Sequence, residues 1–100
     1  MRQGTTPTHT FELPFSTELL SCVRILYSQG DELKLTKKDV DIQKTGNSLV
    51  VRLSQEDTFK FNCKQTVKIQ VRALSPSGDA LVSDMMYRSV DECLEHEVLA

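Results

Sequence analysis

Tryptophan is missing from this chain, and four phenylalanines and two tyrosines are its only six-membered aromatic rings. An immunoglobulin domain proper buries a tryptophan against an inter-sheet disulfide, so any likeness to that fold is one of architecture alone. With Tyr27 and Tyr87 as the only tyrosines, a broad aromatic platform for sugars is also lacking. Cysteine is scarce as well. Cys22, Cys63 and Cys93 are odd in number and widely spaced, with no Cys-x-x-Cys pair to hold structural zinc or run disulfide exchange. They are expected as reduced thiols acting as small apolar fillers, and spacing alone leaves open whether any two of them pair. The glycines are isolated, so no phosphate-cradling loop is present. Charge of neither sign prevails. A net charge of -2 and an isoelectric point near 5.6 give no bulk attraction to nucleic acid or to an anionic bilayer, and neither partner is expected. No apolar run approaches the length of a membrane span, and Met1 to Thr8 carry one basic residue and no apolar stretch of the kind a secretory leader needs. Synthesis in the cytoplasm without a signal peptide is expected.

What the chain does have is strict alternation. In Thr66-Val67-Lys68-Ile69-Gln70-Val71-Arg72-Ala73 every second residue is apolar, which marks a strand with one buried face. The turn Ser75-Pro76-Ser77-Gly78-Asp79 then folds Ala80 to Val90 back against it. That last segment does not keep phase: Leu81, Met85 and Tyr87 fall on one parity, Val82, Met86 and Val90 on the other. A bulge near Ser83-Asp84 would let both sets be used.

The remaining elements follow from what must cover that apolar face. Residues 1–7 are polar and are expected as a flexible arm. Thr8 to Leu13 alternates and stops at Pro14, as an edge strand would. Phe15 and Leu19 are expected to plug one end of the core. Cys22 to Tyr27 and Glu32 to Thr36 form a hairpin around Gly30, with Leu33 and Leu35 inward. Val40 to Ile42 is a short strand, and Ser48 to Leu53 points Leu49, Val51 and Leu53 inward. Ser54 to Thr58 is expected to cross between sheets with a short turn of helix, followed by Phe59 and Phe61 on one side of the chain.

The fold expected is an all-β, small antiparallel β-sandwich of seven or eight short strands, immunoglobulin-like in outline, over residues 8–90. Residues 91–100 form an acidic C-terminal segment, docked or loose.

Few side chains suggest chemistry. His9 and His96 are the only histidines, and no Gly-x-Ser-x-Gly or other nucleophile motif accompanies them. Neither catalytic residues nor a cofactor are expected. Cys93-x-x-His96 has a spacing that ligates metal, but one such pair where structural zinc needs two makes it a minor candidate. The best candidate for an interaction surface is the outward face of the central strand, Lys68, Gln70 and Arg72, with Lys60 and Lys64 upstream. No aromatic residues are interleaved with these charges to stack nucleobases, and a solvated sheet face has the same composition.

Ser77-Gly78-Asp79-Ala80-Leu81-Val82-Ser83-Asp84, then Cys93-Leu94 and Glu97-Val98-Leu99, resemble short proteins encoded among virion genes of phages and prophages of Gram-positive bacteria. The Tyr27-Ser28-Gln29-Gly30-Asp31 turn and the series of short hairpins are similar to the small N-terminal β-domain of phage upper baseplate proteins. The resemblance implies a structural protein of the virion, tail or baseplate, contacting other copies or other virion proteins, with no catalytic residues to carry over. The expected function is a non-enzymatic protein-interaction module that pairs through exposed strands such as Thr8 to Leu13. The alternative is a sandwich that binds a glycan or peptide through its loops.

Overall fold

The computed structural model describes residues 1–100 and consists of eight strands in two antiparallel sheets packed together, a small all-β sandwich. One sheet has three strands in the order β1 (Thr8–Glu12), β5 (Ser48–Arg52), β4 (Ile42–Thr45). The other runs β3 (Glu32–Lys38), β2 (Cys22–Gln29), β6 (Val67–Leu74), and β6 is flanked on its far side by β7 (Ala80–Val82) and then β8 (Met86–Arg88). The molecule is only 17 Å across its shortest axis, the depth of two layers with their side chains between. The likeness to immunoglobulins stops at the layers. There strand B lies beside A and E, whereas here β2 joins β3 and β6 in the opposite sheet.

Most of the core is drawn from the alternating positions of three strands. Val23, Ile25 and Tyr27 of β2, Leu49 and Val51 of β5, and Val67, Ile69 and Val71 of β6 are buried, with Leu53, Phe61 and Val90 closing the ends. Between β5 and β6 the chain changes sheets through a short helix, α1 (Gln55–Phe59), as the polar run 54–58 suggested. Ser54 Oγ accepts from the Asp57 amide and the Asp57 carboxylate accepts from the Ser54 amide, a reciprocal cap that starts this helix.

The bulge expected near Ser83-Asp84 is present. The register of β7 on β6 pairs Ala73 with Leu81, while that of β8 pairs Ile69 with Met86, one residue out of step. The slipped residues are held: the Ser83 amide donates to Val71 O at 2.9 Å, Ser83 Oγ accepts from the Val71 amide, and Gln70 Nε2 donates to Ser83 O.

Elsewhere the structure departs from expectation. Leu33 faces solvent, although Leu35, two residues on, is buried. The β2–β3 register slips between Tyr27 and Ser28, so that Lys34 is an extra residue and Leu33 lands opposite outward-facing Ser28. Val40 is not in a strand but on an exposed 3₁₀ turn over Asp39–Asp41, which the Asp39 carboxylate ties to the Val23 amide at 2.7 Å. Leu19 is exposed at the end of another 3₁₀ turn, and its neighbours Thr17 and Leu20 are the buried residues, with Phe15 half-buried.

Residues 1–7, expected as a flexible arm, are pinned. Gln3 is buried: its backbone amide donates to Asp91 O, its side-chain amide donates to Phe61 O at 2.7 Å, and its Oε1 accepts from the Cys93 amide. Gly4 follows at φ +77°, and a Cβ there would lie 2.7 Å from the Phe59 ring, so a side chain is excluded by both backbone and neighbour. The same contacts dock the start of segment 91–100, and Gln55 exchanges two hydrogen bonds with the Leu99 backbone.

Candidate interaction face

Side chains alternate along each strand, so the residues of β2, β6, β7 and β8 not used in the core form the outer face of the five-stranded sheet. Lys68, Gln70 and Arg72 all lie on this face. Arg72 is exposed, Lys68 is half-buried, and the Gln70 amide is engaged with the bulge at Ser83. Register then adds what strand-by-strand reading missed. Lys38 stands opposite Arg24, and Arg24 stands opposite Arg72, so three exposed cations sit side by side across β3, β2 and β6. Lys68, two rows further along the same face, lies opposite Tyr87, which is 60% exposed.

None of these four cations takes part in an ion pair. The carboxylates that could neutralise them are elsewhere: Lys34 pairs with Glu32, Lys37 and Lys60 with Asp57, and Lys44 with Asp39. No Asp or Glu occurs within β2, β6, β7 or β8, and Glu32, the one acid of β3, is in register with inward-facing Gln29. Like charges directly opposite one another on adjacent strands destabilise a sheet. A protein whose net charge is -2 has nevertheless gathered unneutralised cations on one face.

Asp57, His9 and Tyr27 are ionisable groups set wholly or partly inside the protein. Lys37 Nζ lies 2.8 Å from the Asp57 carboxylate, with both side chains largely buried at the end of the sandwich. Burial alone would raise the Asp57 carboxyl, but the hydrogen bonds from Lys37 and Ser54 outweigh it and hold the group below the usual carboxylate range. His9 Nδ1 and the Tyr27 hydroxyl meet at 2.8 Å and tie β1 to β2 across the two sheets. Burial pushes the Tyr27 hydroxyl well above its ordinary range, with the Asp57 charge adding to the effect. Burial also lowers His9, helped by the positive charges of Arg88 and the N-terminus.

Cys93 and His96 belong to no cluster of three or more His, Cys, Asp or Glu side chains. The His96 ring instead packs against Phe59, centroids 5.7 Å apart, and all three cysteines are free thiols. A cleft of about 220 Å³ opens between the 13–15 segment and β7, lined by Leu13, Phe15, Val71, Ala73 and Leu81. Its serine, Ser83, is already hydrogen-bonded to the backbone of Val71 and Asp84. Comparisons with protein-family models, with curated proteins and with solved structures found no match.

Proposed function

We propose that this is a non-enzymatic protein-interaction domain that offers the outer face of its five-stranded sheet to an acidic surface on a protein partner. The observation that carries the reading is the row Lys38, Arg24 and Arg72, three exposed cations in register with no carboxylate partner. Leaving that row unneutralised costs stability in the free protein, and an acidic partner would relieve it. Tyr87, Val82 and Leu74 are exposed apolar neighbours on the same face, and they supply the contact area that charges alone do not. A protein partner is favoured over nucleic acid because Tyr87 is the only aromatic ring among the cations of this face, which leaves no platform for successive bases. The resemblance to phage virion proteins at residues 77–84 supports a partner in a tail or baseplate assembly, with this domain incorporated into the particle.

The test is a titration of ¹⁵N-labelled protein with a glutamate-rich peptide, followed by amide chemical shifts. Shifts confined to the strands bearing Lys38, Arg24, Lys68 and Arg72, and lost in Arg72→Glu, are expected. Shifts scattered over the surface, or unchanged by Arg72→Glu, would overturn the reading.

A further inference from the structure

Five strands form sheet edges or their continuation, and they are not equally protected. β3 carries Lys34, Lys37 and Lys38, β4 carries Lys44, and β1 is bracketed by Pro7 and Pro14. Lysine and proline at an edge are two of the devices, with short strands and bulges, that keep strands from pairing with other chains. The edge made by β7 and β8 has neither. From Ala80 to Tyr87 it holds three aliphatic residues, two methionines and a tyrosine around Ser83-Asp84, with Val82 56%, Met85 41% and Tyr87 60% exposed.

The free backbone groups of this edge can be assigned. The Ser21 amide donates to Leu74 O, so the even residues of β6 bond toward β2. Its odd residues bond toward β7 and β8, as the Ser83 amide to Val71 O confirms. Ala80 and Val82, opposite even residues Leu74 and Arg72, therefore direct their N–H and C=O groups outward. Beyond the slip the parity changes, and Tyr87, opposite Lys68, is outward too. Its carbonyl is capped by Arg88 Nη1 of the same chain at 2.8 Å. Met85, one residue before inward-bonding Met86, has no backbone partner.

We infer that this edge pairs antiparallel with the same edge of a second copy, about a two-fold axis at Ser83-Asp84. In that register Val82 faces Met85, Leu81 faces Met86, Ala80 faces Tyr87, and Asp79 faces Arg88, each pair occurring twice. Every apolar residue meets an apolar one, and the acid at one end meets the base at the other. The side chains also agree in direction: Leu81 and Met86 align with inward Ala73 and Ile69, while Ala80, Val82 and Tyr87 lie on the outer face. An unbroken strand paired with itself sets residues of the same parity opposite one another, so Val82 can face Met85 only because the bulge slips the phase by one. Two five-stranded sheets would become one, and the two cationic rows would lie on one continuous face. The inference rests on the interaction-domain reading and names one of its partners.

Sedimentation equilibrium up to about 1 mM protein tests it, with circular dichroism to confirm that each variant stays folded. A dimer is expected for the native chain and a monomer for Val82→Lys, which alters a side chain already in solvent. Asp79→Arg and Arg88→Asp should each weaken the dimer by about tenfold, and the double variant should regain it. A native chain that stays monomeric, a dimer indifferent to Val82→Lys, or a double variant as weak as the singles would overturn the pairing. The glutamate-rich peptide titration is read separately on Lys38, Arg24 and Arg72, so loss of the dimer with peptide binding intact condemns the edge and leaves the proposed function standing.

Discussion

At the scale of single residues, the polar groups inside this sandwich all have work in holding it together. No buried side-chain nitrogen or oxygen lacks a partner, which is what keeps burial of Gln3, Thr17, Gln29, Asp57 and Thr58 from being costly. Gln29 illustrates the economy: its amide donates to the carbonyls of Asn62 and Gln65 and accepts from the Asn62 amide, fastening the β2–β3 hairpin to the approach to β6. The fold also changes the proton affinity of His9. Its folded-state pKa is lowered by burial, then by Arg88 and the N-terminus, so the folded protein resists a proton that the unfolded chain accepts near the ordinary histidine value of about 6.5. Stability from this group is therefore complete above that value and declines as pH falls through it toward the lower folded-state pKa. The thermal midpoint of the native protein should drop between pH 7.5 and 5.5, and His9→Gln should flatten that part of the profile. Equal slopes in both proteins would show that His9 does not carry the effect.

At the scale of elements, two one-residue slips decide which side chains are inside. The slip in β2–β3 turns Leu33 outward, and the slip between β7 and β8 lets the final strand segments follow β6 despite their broken phase. Replacing Leu33 by Thr should change unfolding free energy by less than about 0.5 kcal/mol, whereas Leu35→Ala, at a buried position, should cost about 2–4 kcal/mol in denaturant melts. Comparable costs at both sites would place the slip elsewhere. These two leucines also mark the limit of reading the chain as a string. Alternation in β5 and β6, the β-branched and aromatic run of β2, the turn at Gly30, the helical crossover at 54–58 and the bulge beside Ser83 were all legible, because each is a local pattern. Leu33 has the period-two spacing of an inward residue, and only the pairing partner reveals the extra residue at Lys34. Residues 1–7 looked loose since their anchors, Thr58, Phe61 and Asp91, are distant in sequence. The candidate face was half legible for the same reason. Lys68, Gln70 and Arg72 share one strand, while Arg24 and Lys38 join them only through register.

At the scale of the whole molecule, charge is sorted by face. Two of the four ion pairs, those with Asp57, lie at the end of the sandwich, acids dominate segment 91–100, and the outer sheet face keeps its cations to itself. No helix is long and apolar enough to cross a membrane. Cross-strand pairing favours an acid opposite a base, and Lys38, Arg24 and Arg72 face one another without one. The direct test is the thermal midpoint of Arg24→Thr/Arg72→Thr against the native chain at about 10 mM and about 1 M salt, where the screening length changes from about 30 Å to about 3 Å. If the row is stored repulsion awaiting an acidic partner, the double variant melts higher at low salt by roughly 3–8 °C, and the difference closes at high salt. A variant that melts lower than the native protein at both salt concentrations would contradict it.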